Sequence, residues 1–470
     1  MQSKPRLQVV DDDQIQQLHA ATAQVLEKTG IRITHPKARA VFADAGARVE
    51  TDRVYIPRDM LEDAIEKAPS RVVLGNRGGE AAVILEEDRS WFGATLDDIY
   101  YFDPETHQRR QMTLDDCRKV VTLSDALGNF TWGMTFGTLS DVPAHLADRY
   151  TAKQALSYSE KPIVVSSNNV ESLRDIHAMA RVVLPDADRF QTAPPIASFV
   201  TTISPLVIPD HVIEQILYCA EHGIPQVCYN GIQTGSTAPM SFAGAIVQGN
   251  AETLAGLVYI QLLRPGSPVV FGSCASIMDM RSTIFSFGAA EMNLMIAAQA
   301  QIARHYGIPF YGTAGCSDAK LPDGQAAAEA VFSCMSSMLT GANLVHDAGL
   351  LEYATMISPE HMVLVNEVLS MVGQFARGIA VDSESLALDV IDRIGPGGHY
   401  LECEHTMRHF HDVWYSNLFD RNTYWKWQES GGKDLAARLQ EQTLERMRHQ
   451  PAPLPAEAAR ELDEMARHWQ

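Results

Sequence analysis

The sequence predicts a closed (β/α)8 barrel, and three observations carry this prediction. Short apolar strands end in small and polar residues, and an amphipathic helix follows each strand, as in the stretch Tyr311–Gln325 and its continuation. About eight such units follow one another, which is the number that closes a barrel. A helix–Gly-Ile-Pro–strand junction recurs at Gly223–Pro225 and Gly307–Pro309, where glycine ends a helix and proline begins a strand.

Eight segments are the candidate barrel strands, and each has an apolar core. They are Phe130–Phe136, Ile163–Ser167, Ala193–Val200, Gln226–Asn230, Val269–Ser273, Phe310–Gly315, Asn343–Asp347 and His399–Glu404. Helical periodicity separates them at Val212–Glu221, Glu291–Tyr306 and Gly324–Leu339. An open doubly wound sheet is the competing topology, but uninterrupted alternation of about eight strands favours closure.

Three regions are expected along the chain. Residues 1–125 are expected to form an α+β layer over one end or side of the barrel, with a helix that begins near Asp11–Asp13. Short strands in this layer are predicted at Val54–Ile56, Val72–Leu74, Trp91–Phe92 and Ile99–Phe102. Residues 126–430 are expected to form the barrel, and residues 431–470 a charged helical tail that Pro451–Pro455 interrupts.

Composition and charge exclude several classes of function. The chain has 470 residues, of which 46% are hydrophobic and 20% charged, as is typical of a globular protein. A formal net charge of -20 opposes binding to nucleic acid and leaves room for a cationic substrate. No apolar run approaches the length of a membrane span, and the N-terminus lacks the apolar core of a signal peptide. Seven cysteines without a C-x-x-C pair are expected to be free thiols, so a soluble cytoplasmic protein is predicted.

Polar side chains at the strand ends are candidate site residues, because a barrel gathers its chemistry at the C-terminal ends of its strands. They are Asn230, Asp318, Lys320, His346, Asp347 and Glu352. A loop salt bridge is the structural alternative for Asp318 and Lys320. For His346 the alternative is a buried histidine held by a carboxylate.

Aromatic residues indicate a second feature of the site. Trp132, Phe136, Phe199, Tyr229 and Phe271 lie on or near candidate strands, and Tyr100 and Tyr101 belong to the N-terminal layer. Several rings that converge at one end of a barrel can hold a quaternary ammonium through cation–π attraction. The alternative for each ring is ordinary barrel core, so two or three of them are expected to form a cage.

A local cluster of metal-capable side chains offers a different function. Cys403 and His405 would share one face of the predicted strand His399–Glu404, and His409 follows after a turn. A metal-dependent barrel hydrolase or lyase is therefore one alternative, and polar residues that cap the next helix are the structural explanation. Gly395–Gly398 lacks the spacing of a nucleotide-binding loop.

Three stretches resemble the trimethylamine methyltransferase (MttB-type) family, namely Gly315–Gln325, Gly397–Thr406 and Asp420–Trp427. The resemblance extends from Leu26 to Trp427. The archaeal trimethylamine enzymes carry pyrrolysine after strand six, where this chain has standard residues near Gln325. The chain is therefore similar to members without pyrrolysine, such as glycine betaine methyltransferases.

The resemblance implies transfer of a methyl group from a quaternary amine, glycine betaine or a related betaine, to the Co(I) of a corrinoid protein. It implies no tightly bound cofactor of the chain's own, no metal ligand, and assembly as a homo-oligomer. The catalytic residues expected on this basis are Asp318, Gln325 and His346. The substrate-binding residues expected are Tyr100, Phe136, Phe199, Tyr229, Asn230, Glu352 and His405. A betaine-binding protein without catalytic activity is the remaining alternative.

Overall fold

The computed structural model describes residues 2–469 and contains a closed barrel of eight parallel strands. In chain order the strands β1 to β8 are Trp91–Thr95, Phe130–Thr135, Ile163–Ser166, Ile196–Thr201, Gln226–Tyr229, Val269–Gly272, Phe310–Thr313 and Leu344–Ala348. Neighbours in the chain are neighbours in the barrel, and β8 pairs with β1 to close it. The predicted fold class is confirmed.

Each strand is followed by a helix that packs on the outside of the barrel. In chain order the helices α1 to α8 are Leu114–Ala126, Ala147–Tyr158, Val170–Val182, Asp210–His222, Phe242–Leu263, Ala290–His305, Gly324–Thr340 and Pro359–Ala376. The side chains of Thr113, Asn169, Asp323 and Ser358 accept backbone N–H groups at helix starts, which fixes where those helices begin. Gly223 and Gly307 end α4 and α6 with φ of 70° and 69°, the left-handed conformation expected at these junctions.

The predicted strand at His399–Glu404 is wrong, and Trp91–Thr95 supplies the missing barrel strand. Leu401 is 80% exposed, and the segment has no strand neighbour because β8 already pairs with β1. The strand–helix pattern does not identify Trp91–Thr95 as a barrel strand because eighteen residues, 96 to 113, separate it from α1. A Cβ on Gly93 would lie 2.5 Å from the Trp132 indole, so glycine is what allows β1 and β2 to pack here. The barrel thus begins within the region expected to be the N-terminal layer.

The rest of the N-terminal part surrounds the barrel. It contains the helices Asp12–Gln24, Pro36–Asp44 and Arg58–Lys67, a five-residue π-helix at Val25–Thr29, and the strands Ile31–Ile33, Arg48–Glu50 and Arg53–Tyr55. An antiparallel hairpin, Val72–Gly75 with Ala81–Leu85, closes the end where the barrel strands begin, since Gly75 N–H donates to Pro194 O just before β4. Its buried residues Val72, Leu74 and Val83 join the same apolar cluster as the barrel interior.

The opposite end, where the strands finish, is called the barrel mouth. Beside it lies a four-stranded sheet of Tyr100–Phe102, Arg109–Gln111, Leu350–Leu351 and Met356–Ile357. Gly231–Thr234 and Cys274–Ile277 continue β5 and β6 beyond the barrel as a parallel pair. The loops after β1, β5, β6 and β8 are therefore structured.

The C-terminal part contains the helices Leu388–Ile394, Glu404–His409, Tyr424–Glu429, Leu435–Arg446 and Ala456–Arg467. The last two pack on the chain's own barrel, where Leu439 and Leu462 are buried and Lys153 pairs with Asp463 at 2.6 Å. The residues before them return along α8, as the contacts of Asp412 with Gln374 and of Ser416 with Glu367 show. Of the helices between residues 2 and 469, none is long and apolar enough to cross a bilayer.

Candidate active site at the barrel mouth

Aromatic rings converge inside the barrel near the mouth. The ring of Tyr311 stacks on the imidazole of His346, with centroids 4.5 Å apart and planes at 23°. Tyr229 meets both rings edge-on, with centroid distances of 5.7 and 6.2 Å. Phe199 lies 4.7 Å from Tyr229, and Phe136 lies 6.5 Å from Phe199. The structure therefore brings together four of the predicted site residues and adds Tyr311.

The ring cluster has a closed floor and an open top. Trp132, 5.9 Å from Tyr311, is fully buried and donates its indole N–H to Trp91 O at 3.1 Å. The Tyr311 hydroxyl lies 2.7 Å from the sulfur of Met134. Tyr229 and Phe136 are only partly buried, so a ligand can reach the rings from the mouth. The ring of Phe271 faces outward instead, against Tyr306 and Phe310.

His346 is held between two polar partners. Its Nε2 lies 2.9 Å from the hydroxyl oxygen of Thr313, within hydrogen-bond distance. Its Nδ1 lies 2.6 Å from the Asp347 carboxylate, although the alignment falls outside that of a hydrogen bond. The Asp347 carboxylate is also 3.5 Å from the Thr95 hydroxyl of β1. These contacts connect the ends of β7, β8 and β1 at the ring cluster.

A buried carboxyl group, that of Asp347, lies near the rings of Tyr311 and Tyr229, and a second, that of Asp98, lies near Asp347. Asp347 is 2% exposed and Asp98 is 6% exposed. Burial raises the pKa of Asp98 well above its ordinary value, and the neighbouring carboxylates of Asp97, Asp347 and Glu352 add to this effect. Burial likewise raises the pKa of Tyr311, with Asp347 contributing. Carboxylates next to aromatic faces form a negative environment, which suits a positively charged ligand.

Among the described residues, no buried arginine or lysine lies at the ring cluster, and the base that does lie there is His346. The arginines that are buried among the described residues are Arg77 and Arg149. Arg77 lies at the hairpin end of the barrel, where its guanidinium donates to Ser157 O at 3.2 Å. Arg149 lies between α2 and α3 and pairs with Asp175 at 2.5 Å. The buried arginines of the described chain thus lie away from the rings, and the acids near the rings favour a cation over an anion.

The end of β8 and the loop after it are held in an unusual backbone conformation. Asp347, Glu352, Tyr353 and Ala354 have φ of 73°, 54°, 51° and 60°, in the left-handed region that non-glycine residues rarely adopt. Such residues cost about 1–3 kcal/mol each and persist where the surroundings impose them. Here Glu352 N–H donates to Ala319 O at 2.8 Å, which ties this loop to the loop after β7. The conformation fixes one wall of the mouth.

Asp318 and Gln325 lie at the mouth, but their side chains form hydrogen bonds to residues of the surrounding loops and of α7. The Asp318 carboxylate accepts the N–H of Phe287 at 2.8 Å and the hydroxyl of Ser286, so it connects the loops after β6 and β7. Gln325 donates its amide to Glu329 at 2.9 Å. Lys320 donates to the backbone oxygen of Asp318 rather than to its carboxylate, so the salt bridge considered for this pair is not formed.

Three further predicted residues lie around the ring cluster rather than in it. Glu352 accepts from Arg109 at 2.7 Å, and the Arg109 guanidinium lies 3.3 Å from the centroid of the Tyr100 ring in the flanking sheet. Asn230 points outward to α5, where its amide donates to Gly249 O at 2.9 Å and to the Thr253 hydroxyl at 2.7 Å. Both N–H groups of Asn230 are thus already bonded inside the protein.

His405 does not lie at a strand end, which corrects the prediction for this residue. It belongs to the short helix Glu404–His409 beyond the C-terminal end of α8, and α8 runs away from the mouth. Its ring lies 4.3 Å from that of His409. Across residues 2–469, no three His, Cys, Asp or Glu side chains are grouped to hold a metal ion, so Cys403, His405 and His409 form no such site.

The sequence contained signals for the residues that were missed. Tyr311 and Thr313 alternate on β7 and so share one face of the strand, which is the inner one. Asp98 follows β1 by three residues, a position that points to the mouth once Trp91–Thr95 is known to be a barrel strand. Asp347 was noted beside His346, but its proximity to Asp98 depends on barrel closure.

Comparison with known proteins agrees with this geometry. A family model described as trimethylamine methyltransferase (MTTB) matches residues 1–469. The chain is 32% identical over 428 residues to glycine betaine methyltransferase of Desulfitobacterium hafniense (strain Y51), across 90% of this chain and 89% of that protein. It is 30% identical over 454 residues to trimethylamine methyltransferase MttB of D. hafniense (strain DSM 10664 / DCB-2), across 96% of this chain and 92% of that protein.

The fold is also similar to a solved structure. The monomethylamine methyltransferase MtmB of Methanosarcina barkeri has a TM-score of 0.52 to this chain at 14% identity, across 93% of this chain and 87% of that one. At this identity the similarity supports the fold alone. The match over the whole chain and the two relatives at 30% identity or more show the family: the chain belongs to the trimethylamine methyltransferase family.

Proposed function

We propose that this protein transfers a methyl group from a quaternary amine, glycine betaine or a related betaine, to the Co(I) of a corrinoid carried by a separate protein. One observation supports the amine above all. The rings of Tyr229, Tyr311 and Phe199 stand next to the buried carboxyl of Asp347 at an accessible mouth, and the buried carboxyl of Asp98 lies near Asp347. Ring faces and carboxylates together attract a permanent cation that cannot donate a hydrogen bond.

The proposed reaction requires little acid–base catalysis by the protein. The C–N bond to one methyl group breaks, its electron pair stays on nitrogen, and a neutral tertiary amine leaves. The corrinoid supplies the electron pair that forms the new bond to carbon. Since the leaving group needs no proton, the chain's own residues act by holding the methyl group in line and by excluding water.

The rings bind the ground state better than the transition state. Positive charge leaves the nitrogen as the bond breaks, so cation–π attraction weakens along the reaction. The rate enhancement must therefore come from positioning the methyl group for transfer. His346 stacks on Tyr311 and is fixed by Thr313, which gives it one orientation in the wall of the ring cluster. We assign His346 the role of orienting the substrate.

Asp318 and Gln325 receive a different role in the proposal. Their side chains face neighbouring loops, since Asp318 binds Phe287 and Gln325 binds Glu329. Glu329 in turn accepts the N–H of Asp318 at 2.9 Å. These contacts hold the loops after β6 and β7 in place around the mouth, so Asp318 and Gln325 act on the geometry of the loops.

The edge of the mouth suits a protein partner. Exposed apolar side chains lie on five different mouth loops: Ile99, Ile203, Met240, Met280 and Leu321. These five residues are called the rim. Exposed apolar groups arranged around an opening are typical of a protein-binding surface. A corrinoid-carrying domain that docks on the rim would bring its cofactor to the ring cluster.

The experiment that tests the proposed function is a spectroscopic methyl-transfer assay. The protein is mixed with reduced cob(I)alamin, and then with a corrinoid protein, in the presence of glycine betaine, carnitine, γ-butyrobetaine, proline betaine or trimethylamine. Loss of the Co(I) spectrum with one quaternary amine, and appearance of the methylated corrinoid, is the expected result. The variant His346→Ala should lose transfer, whereas His405→Ala, on the other end of the barrel, is the matched control.

Absence of transfer with every amine and both acceptors would contradict the proposal. Tight binding of a betaine under those conditions would instead support the betaine-binding alternative. Equal transfer by His346→Ala and the unchanged protein would remove His346 from the site.

A further inference from the structure

A cavity on the outside of the barrel shares no lining residue with the ring cluster. It has a volume of about 750 Å³ and lies between α1, α2 and the C-terminal part of the chain. Its outer wall is the connection between the helices Leu435–Arg446 and Ala456–Arg467, residues 447–455, which is called the strap. Pockets that bind small molecules have volumes of about 300–1,000 Å³. This space, called the strap cavity, is therefore large enough for a ligand.

The strap is fixed to the barrel by polar contacts. Arg77 donates a guanidinium N–H to the backbone oxygen of Ala452 at 2.5 Å. His449 Nε2 lies 2.9 Å from the Asp125 carboxylate. Three prolines within the strap restrict its backbone further. The outer wall of the cavity thus has a defined position.

The charge of the lining is opposite to that of the whole chain. Four lysine and arginine side chains line the strap cavity, against the two acids Glu105 and Asp463. The chain as a whole has 38 lysines and arginines against 58 aspartates and glutamates. A concave surface with an excess of one charge attracts ligands of the other sign, so the cavity favours an anion. The four cations are Arg118, Lys119, Lys153 and Arg448.

Ion pairs within the protein leave these cations available to a ligand. Arg118 and Lys119 share one carboxylate, that of Asp115, at 2.7 and 2.9 Å, and the Asp115 side chain is 57% exposed. Lys153 pairs at 2.6 Å with Asp463, whose side chain is 61% exposed. Such exposed pairs are worth roughly 0–1 kcal/mol, so an anionic ligand can compete with them.

Attachment of the C-terminal helices to the barrel does not explain these cations. Lys153 serves that purpose through Asp463, whereas Arg118 and Lys119 pair within α1 itself. Arg448 belongs to the strap, is exposed, and has no ion-pair partner between residues 2 and 469. Three of the four cations therefore hold nothing across the cavity.

Two further lining residues indicate what else the ligand carries. Tyr158 is 36% exposed, and the Arg118 guanidinium lies 5.9 Å from the centroid of its ring. Gln154 Oε1 is shielded from solvent and accepts no hydrogen bond from the described residues. A buried acceptor without a donor costs about 1–3 kcal/mol. A planar group with hydrogen-bond donors would complement both side chains.

We propose that the strap cavity binds a nucleoside phosphate, with its phosphate groups at Arg118, Lys119 and Arg448 and its base at Tyr158 and Gln154. Arginine matches phosphate oxygens through two parallel N–H bonds, and a base offers both a planar face and hydrogen-bond donors. The bound ligand would connect α1 and α2 to the strap. Because the cavity and the ring cluster have no residue in common, this proposal does not depend on the reaction at the mouth.

Isothermal titration calorimetry of the full chain with ATP, at low salt and without magnesium, tests the proposal. We expect one ATP to bind per chain with a Kd below about 1 mM. Inorganic pyrophosphate should bind at least about fivefold more weakly, because it lacks the base that stacks on an aromatic ring. Tyr158→Ala should weaken the binding of ATP by a similar factor and leave that of pyrophosphate unchanged.

Arg448→Glu is the variant that tests the position of the phosphates, and it should weaken ATP binding at least about 10-fold. Because Arg448 is exposed and unpaired in the described chain, the variant should fold, as circular dichroism checks. Arg393→Glu is the matched control, since Arg393 is also exposed without an ion-pair partner between residues 2 and 469 and the net charge changes equally. It should bind ATP like the unchanged protein.

Four results would overturn the proposal. The first is the absence of saturable ATP binding at millimolar concentrations. The second is equal weakening in Arg448→Glu and Arg393→Glu, which would show an effect of net charge alone. The others are pyrophosphate that binds as tightly as ATP, and a Tyr158→Ala variant that binds ATP normally, since either would leave the base without a role.

Hydrogen–deuterium exchange gives a second, independent measurement. Saturating ATP should slow the exchange of the strap amides in the unchanged protein and have no such effect in Arg448→Glu at the same concentration. Amides of the mouth loops should exchange as they do without ATP. Strap amides that exchange equally fast with and without saturating ATP would place the nucleotide elsewhere and contradict the proposal.

Discussion

At the residue scale, carboxyl groups distinguish the ring cluster from ordinary barrel core. Large rings fill the interior of most barrels, so Trp132 and Tyr311 alone would indicate packing. Core packing does not explain why the Asp347 carboxyl is buried beside Tyr311, with the carboxyl of Asp98 near it, because several buried carboxyls next to a single histidine are costly. A cationic ligand would supply a compensating charge. The buried acids are therefore the main evidence for a cation site, and the rings define its walls.

The first prediction concerns Tyr229, the partly exposed ring of the cluster. Tyr229→Ala removes a face that the ammonium would contact, so the KM for the amine should rise about 10-fold, in line with the roughly 1–2 kcal/mol of a desolvated cation–π contact. Tyr229→Phe keeps the ring and should change KM by less than about threefold. Steady-state kinetics on the three proteins decide this. Equal KM values for the alanine variant and the unchanged protein would place the amine elsewhere.

The second prediction concerns the pH dependence caused by Asp98. Burial raises its pKa in the folded protein, so at a pH above the ordinary aspartate range it is still protonated when no ligand is bound. Affinity for a quaternary amine should then increase with rising pH, because the ionised form attracts the cation. Binding should release protons, which calorimetry in two buffers of different ionisation enthalpy measures.

Asp98→Asn is the matched control for this effect. It should bind the amine with an affinity independent of pH and without proton release. In the ligand-free protein the sign for stability is opposite, since a raised folded-state pKa means that the free energy of unfolding falls as pH rises above the ordinary aspartate pKa. An unchanged protein whose affinity is flat across pH would exclude Asp98 from the cation site.

At the element scale, loops that connect neighbouring strands hold the mouth together. The Asp97 carboxylate after β1 accepts the backbone N–H groups of Phe136, Gly137 and Thr138 after β2, at 2.8, 2.7 and 2.8 Å. In the same way Glu252 of α5 accepts the N–H of Leu206 after β4 at 3.0 Å. Carboxylates that bind backbone donors fix loop conformation, and Phe136 is placed in the ring cluster by this means.

The third prediction follows from the contacts of Asp97. Asp97→Ala leaves three backbone donors without their acceptor, so the free energy of unfolding should fall by about 3 kcal/mol or more. Urea denaturation followed by circular dichroism measures this loss. Asp382→Ala is the control, because that carboxylate also accepts two backbone N–H groups but lies in solvent, and its loss should cost less than about 1 kcal/mol. Similar losses for both variants would contradict the role assigned to Asp97.

At the scale of the whole molecule, one end of the barrel is closed and the other is open. The hairpin Val72–Leu85 closes one end, and the ring cluster opens at the other. The rim surrounds the open end, whereas the segment after α8 begins at the closed end. Substitutions on these two surfaces therefore act at separate ends of the barrel. This separation leads to the fourth prediction.

Met280→Asp on the rim should slow transfer to a corrinoid protein more than transfer to free cobalamin. A charge placed in an apolar docking surface weakens the protein complex, while free cobalamin needs no rim. We expect the ratio of the two rates to fall about 10-fold, measured with one amine at saturation. The equally exposed Leu388→Asp in the segment after α8 should leave this ratio unchanged. Equal slowing with both acceptors would show that Met280 affects the ring cluster itself.

The local sequence pattern predicted most of the barrel strands but missed β1, where the barrel closes. Strands such as Gln226–Tyr229 and Phe310–Thr313 were identified because glycine and proline punctuate the chain on either side of them. The strand at Trp91–Thr95 was assigned to a separate layer because its helix begins only after residue 113. His399–Glu404 has an apolar pair, Tyr400 and Leu401, that is exposed in the segment after α8. Exposed apolar residues and a buried strand can have the same local composition.

The candidate site was predicted in part for the same reason. Phe136, Phe199, Tyr229 and His346 were found since each lies on or directly after its own strand. Asn230 follows its strand in the same way, yet it faces outward to α5. The direction of a side chain at a strand end depends on barrel twist and register, which local sequence does not specify.

What the sequence determined by itself is the alternation of strands and helices, the caps and glycines that bound them, and the family. These depend on residues within a few positions of one another. Only the tertiary structure decided that Tyr311 and Asp347 lie together and that Asp98 lies near Asp347, since this requires β1 to close against β8 across about 250 residues of chain. The arrangement of acids and rings at the mouth is a product of that closure.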